Sequence, residues 1–112
     1  MRIFYGSSAG RPDVPSEAPV DVGFDVALSV LRALDGRRGF LGVALDDRYT
    51  LQLLPQRGGI RVELLDSFIP SFDACVADSA FAEGLLRAAS GTQDVFAIAR
   101  ASSHRWEHTS LA

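Results

Sequence analysis

The sequence predicts an α+β fold: an antiparallel β-sheet of four to six strands, built round a central meander, with two helices packed on it. Two observations carry this. Three short apolar runs, "GFLGVAL", "YTLQLLP" and "IRVELLD", follow one another at residues 39–45, 49–55 and 60–66, and only the turn-forming "DDR" and "QRGG" separate them. Before and after this block the apolar spacing shifts to threes and fours, the period of a helix with one buried face.

In chain order, Met1 to Tyr5 reads as a short strand. It leads into "GSSAGRPDVPSEAPVDVG", residues 6–23, which holds three prolines and no apolar period and reads as a flexible loop or arm. From Phe24 the residues Ala27, Leu28, Leu31 and Leu34 line one helical face, with Asp21 as the expected N-cap and Gly36 just past the end. In the meander, period two puts Leu41, Val43 and Leu45, then Tyr49, Leu51 and Leu53, then Ile60, Val62 and Leu64 on one face. Arg61 and Glu63 then point the other way. A second helix is expected over Ser79 to Ala89, capped by Asp78, with Phe81, Ala82, Leu85 and Leu86 inward and Gly91 as its stop. "DVFAIARAS" at 94–102 reads as a further strand, and His104 to Thr109 as either a strand or a terminal helical turn.

With 112 residues, the chain has material for a single domain over 1–112 and one core. An apolar content of 47% and a charged content of 22% are those of a globular protein, and no apolar run reaches the roughly 18 residues of a membrane helix. A cytoplasmic location is expected. The single Cys75 cannot form an intrachain disulfide, which agrees with a reducing compartment. All eleven basic residues are Arg, and Lys and Asn are both absent, as GC-rich coding would produce. A net charge of −3 argues against nucleic acid as a direct partner. The stretch from Val62 to Leu86 holds Glu63, Asp66, Asp73, Asp78 and Glu83 with no basic residue, leaving eleven arginines against nine acids elsewhere. Asp78 caps the second helix, Glu83 lies farther along it and Asp73 can support a turn; Glu63 and Asp66 are left to face a basic partner.

Two motifs invite a catalytic reading. "HRWEH", His104 to His108, has the H-x-x-E-H pattern in which two histidines bind zinc and the glutamate acts as base. That chemistry needs a helix, because in a strand the histidines lie about 13 Å apart along the chain. Only four residues follow His108, and no spacing selects a third ligand. No metal and no cofactor are therefore expected, and Trp106 is the residue of interest in this segment. "GSSAG", Gly6 to Gly10, fits G-x-S-x-G, but Pro12 and Pro15 deny the helix that a nucleophile elbow requires.

The layout "FLGVALDDRYTLQLLPQRGGIRVEL", then "IPSFDACVADSAFAEGLLRAASG", then a closing strand resembles the small immunity proteins of bacterial polymorphic toxin systems, particularly those associated with nucleic-acid deaminase toxins. The likeness spans about residues 24 to 106 and rests on the sheet with its Glu63, the Ile69-Pro70 pair, the apolar helix with Phe81 and the Ser90-Gly91 exit. Where that family often has a proline after the glycine and a tryptophan in the final strand, this chain has Thr92-Gln93 and a later Trp106. The resemblance implies a cytoplasmic, non-enzymatic protein that inhibits a cognate toxin, a nuclease or deaminase with a basic surface, by occluding it. The expected interface comprises Arg61, Glu63, Asp66, Asp73 and Trp106. The rival expectations are a small hydrolase or metalloenzyme using His104, Glu107 and His108, and a self-associating, ligand-binding regulatory module.

Overall fold

The computed structural model of the chain describes residues 1–111. The element order is β1 (Arg2–Gly6), β2 (Val20–Asp21), α1 (Phe24–Arg32), β3 (Phe40–Ala44), β4 (Tyr49–Gln56), β5 (Gly59–Asp66), β6 (Ser71–Ala77), α2 (Ser79–Ser90), α3 (Val95–Arg100) and β7 (Glu107–Ser110). The seven strands form one sheet in the order β2-β1-β3-β4-β5-β6-β7, and every neighbouring pair is antiparallel. The fold class is the expected α+β one, in a larger sheet and with a third helix.

Two connections in this sheet carry helices. One runs from β2 through α1 to β3 on the far side of β1, and the other runs from β6 through α2 and α3 to β7. Both lie on the same face. Antiparallel pairing aligns Leu41 with Leu53, Leu53 with Val62 and Val62 with Cys75, and beside that row Val43 with Leu51 and Leu51 with Leu64. These side chains are buried, together with Ala27, Val30 and Leu31 of α1, Ala82, Leu85 and Leu86 of α2, and Val95, Phe96 and Ala99 of α3. The inward faces of the three meander strands are those the period-two pattern selects.

Two local readings are corrected, one stretch gains an element and one open alternative is decided. Residues 94–102 are not a strand: the Asp94 side chain accepts from the Ala97 amide and starts α3, whose inward residues fall at helical spacing. β6 takes up the stretch before α2 that the sequence reading left without an element. The cap of α1 is Gly23, while Asp21 pairs in β2 across from Arg2 and binds the N-terminal ammonium at 3.1 Å. "HRWEH" is not helical, and its last two residues open β7. The expected cap of α2 is as read, with Asp78 accepting from the Phe81 amide at 2.8 Å.

The 6–23 segment contributes β2 and is hydrogen-bonded to the body at several points. Tyr5 and Val14 exchange backbone bonds of 2.9 Å, Ala9 donates to the Ala33 carbonyl at 2.9 Å, and the buried Ser8 hydroxyl donates to the Val30 carbonyl at 3.1 Å. No helix among the described residues is long and apolar enough to cross a membrane.

Turn chemistry sets the register of the central hairpin. Gln56 pairs with Gly59, so Arg57 and Gly58 form a two-residue loop, and Gly58 has a φ of 87°. Gly59 has a φ of 153°, and a Cβ there would stand 2.4 Å from the Ala77 carbonyl oxygen, which is backbone and cannot swing away. Gly59→Ala is expected to destabilise the fold by about 1–3 kcal/mol through strain and a forced shift of β6. Urea denaturation measures this, and an unchanged midpoint would contradict the reading.

Candidate protein-binding surface

The face opposite the helices is built from the residues that alternate with the core. On β5 these are Arg61, Glu63 and Leu65. Register sets Glu63 between Gln52 and Ala74, Arg61 between Leu54 and Val76, and Leu65 between Thr50 and Phe72. At the β1 side the Phe4 ring lies over Gly42, where an added Cβ would come within 2.0 Å of it, and it meets the Phe40 ring at a centroid distance of 6.3 Å. The glycine is what lets an aromatic ring lie down on the sheet. The result is a surface of half-buried aromatic and aliphatic side chains with one ion pair in it, Arg61 Nε donating to Glu63 Oε2 at 2.9 Å.

Asp66 closes the end of β5 and organises two turns at once. Its carboxylate accepts from Arg48 Nε at 2.9 Å and Nη2 at 2.8 Å, the bidentate pairing that suits a guanidinium. Asp66 Oδ1 also accepts from the amides of Phe68 and Ile69. The Arg48 bond, with support from those two amides, holds the Asp66 carboxyl at about 2, well below its ordinary 3.8. Ser67 ties the β5–β6 turn to the β3–β4 turn, its amide and hydroxyl both donating to the Arg48 carbonyl.

Asp73 and Trp106 lie on the helix-covered side instead. Asp73 stands between Leu64 and His108; its Oδ1 accepts from His108 Nδ1 at 2.6 Å, and its Oδ2 lies 3.5 Å from Arg100 of α3. Trp106 packs against the core, and its indole N–H is buried with no hydrogen-bond partner among the described residues. Such an orphan donor costs about 1–3 kcal/mol. The five residues singled out from the sequence therefore do not share one surface: Arg61 and Glu63 are together on the helix-free face, Asp66 is at its end, and Asp73 and Trp106 are behind it.

His104, Glu107 and His108 are also separated. His104 stacks on Phe81 of α2 at a centroid distance of 4.2 Å, His108 is bonded to Asp73, and Glu107 pairs with Ala74 on the helix-free face. Among the described residues no group of three or more His, Cys, Asp and Glu is placed to hold a metal ion. Ser8 is buried with its hydroxyl donated to the backbone, and burial pushes the Cys75 thiol up, which disfavours the thiolate.

The structure also exposes two residues that the sequence reading did not single out as a binding element, Phe68 and Ile69 of the β5–β6 turn. Their signal was "DSFIPS": two large apolar residues set among turn formers, where no strand or helix could bury them. No family model, curated protein or solved structure matches the chain.

The depressed Asp66 carboxyl makes stability depend on acid. A group whose pKa is lowered by folding contributes fully above its unfolded value and loses that contribution as pH falls through its folded one. Asp66→Asn is expected to lower Tm at pH 7, and the gap to the parent protein should close between about pH 4 and pH 2. Thermal melts across that range check this; a gap independent of pH would contradict it.

Proposed function

We propose that the protein is an immunity protein, an antitoxin that binds a cognate bacterial toxin in the cytoplasm and inhibits it without catalysis. The toxin class that fits is a nucleic-acid-targeting deaminase or nuclease with a basic surface, occluded by contact. The observation that carries this reading is the helix-free face, a sheet surface mixing half-buried aromatic and aliphatic side chains with the Arg61–Glu63 pair. From β1 to β6, four strand-to-strand steps of about 4.8 Å make it about 19 Å wide, and these five strands of five to eight residues make it about 17–26 Å tall. That projection is roughly 320–500 Å², about half of the about 800 Å² per partner of a standard interface, with the neighbouring turns left to add to it. A net charge of −3 favours encounter with a basic protein and disfavours direct contact with its nucleic-acid substrate.

The resemblance in layout to immunity proteins supports the same reading, and the separation of His104, Glu107 and His108 leaves the rival catalytic centre without a geometry. Co-expression with the toxin encoded beside its gene is expected to restore growth and to yield a stable complex. Glu63→Arg should weaken that complex by about tenfold or more, because it places two arginines together opposite a basic partner. Replacing both histidines with Ala should leave affinity within about threefold. A toxin that is neither bound nor neutralised would refute the reading.

A further inference from the structure

We propose that the β5–β6 turn is a preformed apolar anchor, with Phe68 and Ile69 entering an apolar pocket on the partner protein whose rim is basic. The assignment rests on the function proposed above and names the part of the surface that makes the contact.

Phe68 and Ile69 are 68% and 63% exposed, at the tip of a turn that ends at Pro70. A large apolar side chain alone on a surface is ordinary, but two adjacent ones on a braced turn are not. The bracing is specific. Asp66 accepts the amides of both residues at 3.0 and 3.3 Å, and the Ser67 amide donates to the Arg48 carbonyl at 2.9 Å. The Ser67 hydroxyl reaches the carbonyls of Asp47 and Arg48 at 3.2 and 3.1 Å, fixing this turn to its neighbour. Arg48, held by both Asp66 oxygens, lies 5.5 Å from the Phe68 ring centroid and 4.8 Å from that of Tyr49, so its charge is paired and its plane supports the rings. Beside the turn, Leu111 is 63% exposed, and its amide donates to the Pro70 carbonyl at 2.7 Å. Leu65 and Phe72 continue the apolar surface onto the helix-free face. A turn ordered before binding loses little entropy on docking, which is the property of an anchor residue.

Charge selects the occupant. The adjoining β3–β4 turn projects Asp46 and Asp47, both exposed, and the one nearby cation in these two turns, Arg48, is already neutralised by Asp66. An apolar tip flanked by two exposed acids suits a protein pocket rimmed with Arg or Lys. A second copy of this chain would bring the same acids against each other, and an anionic membrane would repel them.

The test measures binding of the full chain to the toxin encoded beside its gene by surface plasmon resonance, with Phe68→Ser, the double variant F68S/I69S, and D46N/D47N. Asn keeps the acceptor with which Asp46 Oδ1 holds the amides of Arg48 and Tyr49, so D46N/D47N changes charge without opening the turn. Circular dichroism and Tm are expected to match the parent for all three. F68S/I69S should weaken Kd by at least about 30-fold, and Phe68→Ser alone should account for most of that loss. D46N/D47N should slow association several-fold at low salt and flatten its salt dependence. Parent-like affinity of F68S/I69S, with the parent protein binding its toxin, would overturn the anchor and leave the proposed function standing. Failure of the parent protein itself to bind would overturn both. A parent protein that is dimeric in sedimentation, and that F68S/I69S renders monomeric, would assign the turn to self-association and overturn it as a toxin anchor.

Discussion

Burial of one face of the sheet by α1, α2 and α3 is the constraint on which the rest of the molecule depends. In a strand, successive side chains point to opposite faces, so fixing Val62 and Leu64 under the helices fixes Arg61, Glu63 and Leu65 on the other side. A slip of one residue in β5 would bring Arg61 and Glu63 under α2 and put the leucine and valine in water. The apolar area that drives folding therefore also determines which residues remain available for a partner. On the helix-free face the apolar residues are interrupted by Thr50, Gln52 and the Arg61–Glu63 pair rather than forming one continuous patch.

Edges matter for a sheet covered on one side only. At one edge, β2 is two residues long and follows Pro19; at the other, β7 is Glu107–Ser110, exposed throughout and polar in every side chain. Short and charged edges discourage sheet-to-sheet pairing. Within β7, His108 returns to Asp73 across the strand pair, which ties the last strand to the body through a side chain as well as through its ladder.

Where local chemistry agreed with the tertiary outcome, the elements were legible in the residues. The meander declared itself by alternation and by "QRGG", and α2 by Asp78 and the spacing of Ala82, Leu85 and Leu86. β6 was obscured because Asp73 interrupts its inward face, and the groups that make an acid acceptable there, Arg100 and His108, come from positions about thirty residues away. "DVFAIAR" is a short apolar run of the kind periodicity cannot assign; the Asp94 cap decided it. The candidate surface was legible in part. Alternation separates Arg61 and Glu63 from the core, but β6 was not read as a strand, so the sequence could not tell that Asp73 and Trp106, the latter just before β7, lie behind the sheet. The bracing role of Asp66 came only with the fold, since Arg48 and the Phe68 and Ile69 amides converge on it from two turns.

Under the proposed function, the face and turn that the helices leave uncovered are where the toxin would dock, which joins a folding constraint to a binding one. An amide-resolved NMR titration of the isotope-labelled chain with the proposed toxin tests this most directly. The largest shift changes are expected to cluster in residues 46–48 and 66–70 and in the strands that carry Arg61, Glu63, Leu65 and Phe72. Changes confined to the outer surfaces of α1 and α2, with the turn and the helix-free face unmoved, would contradict it.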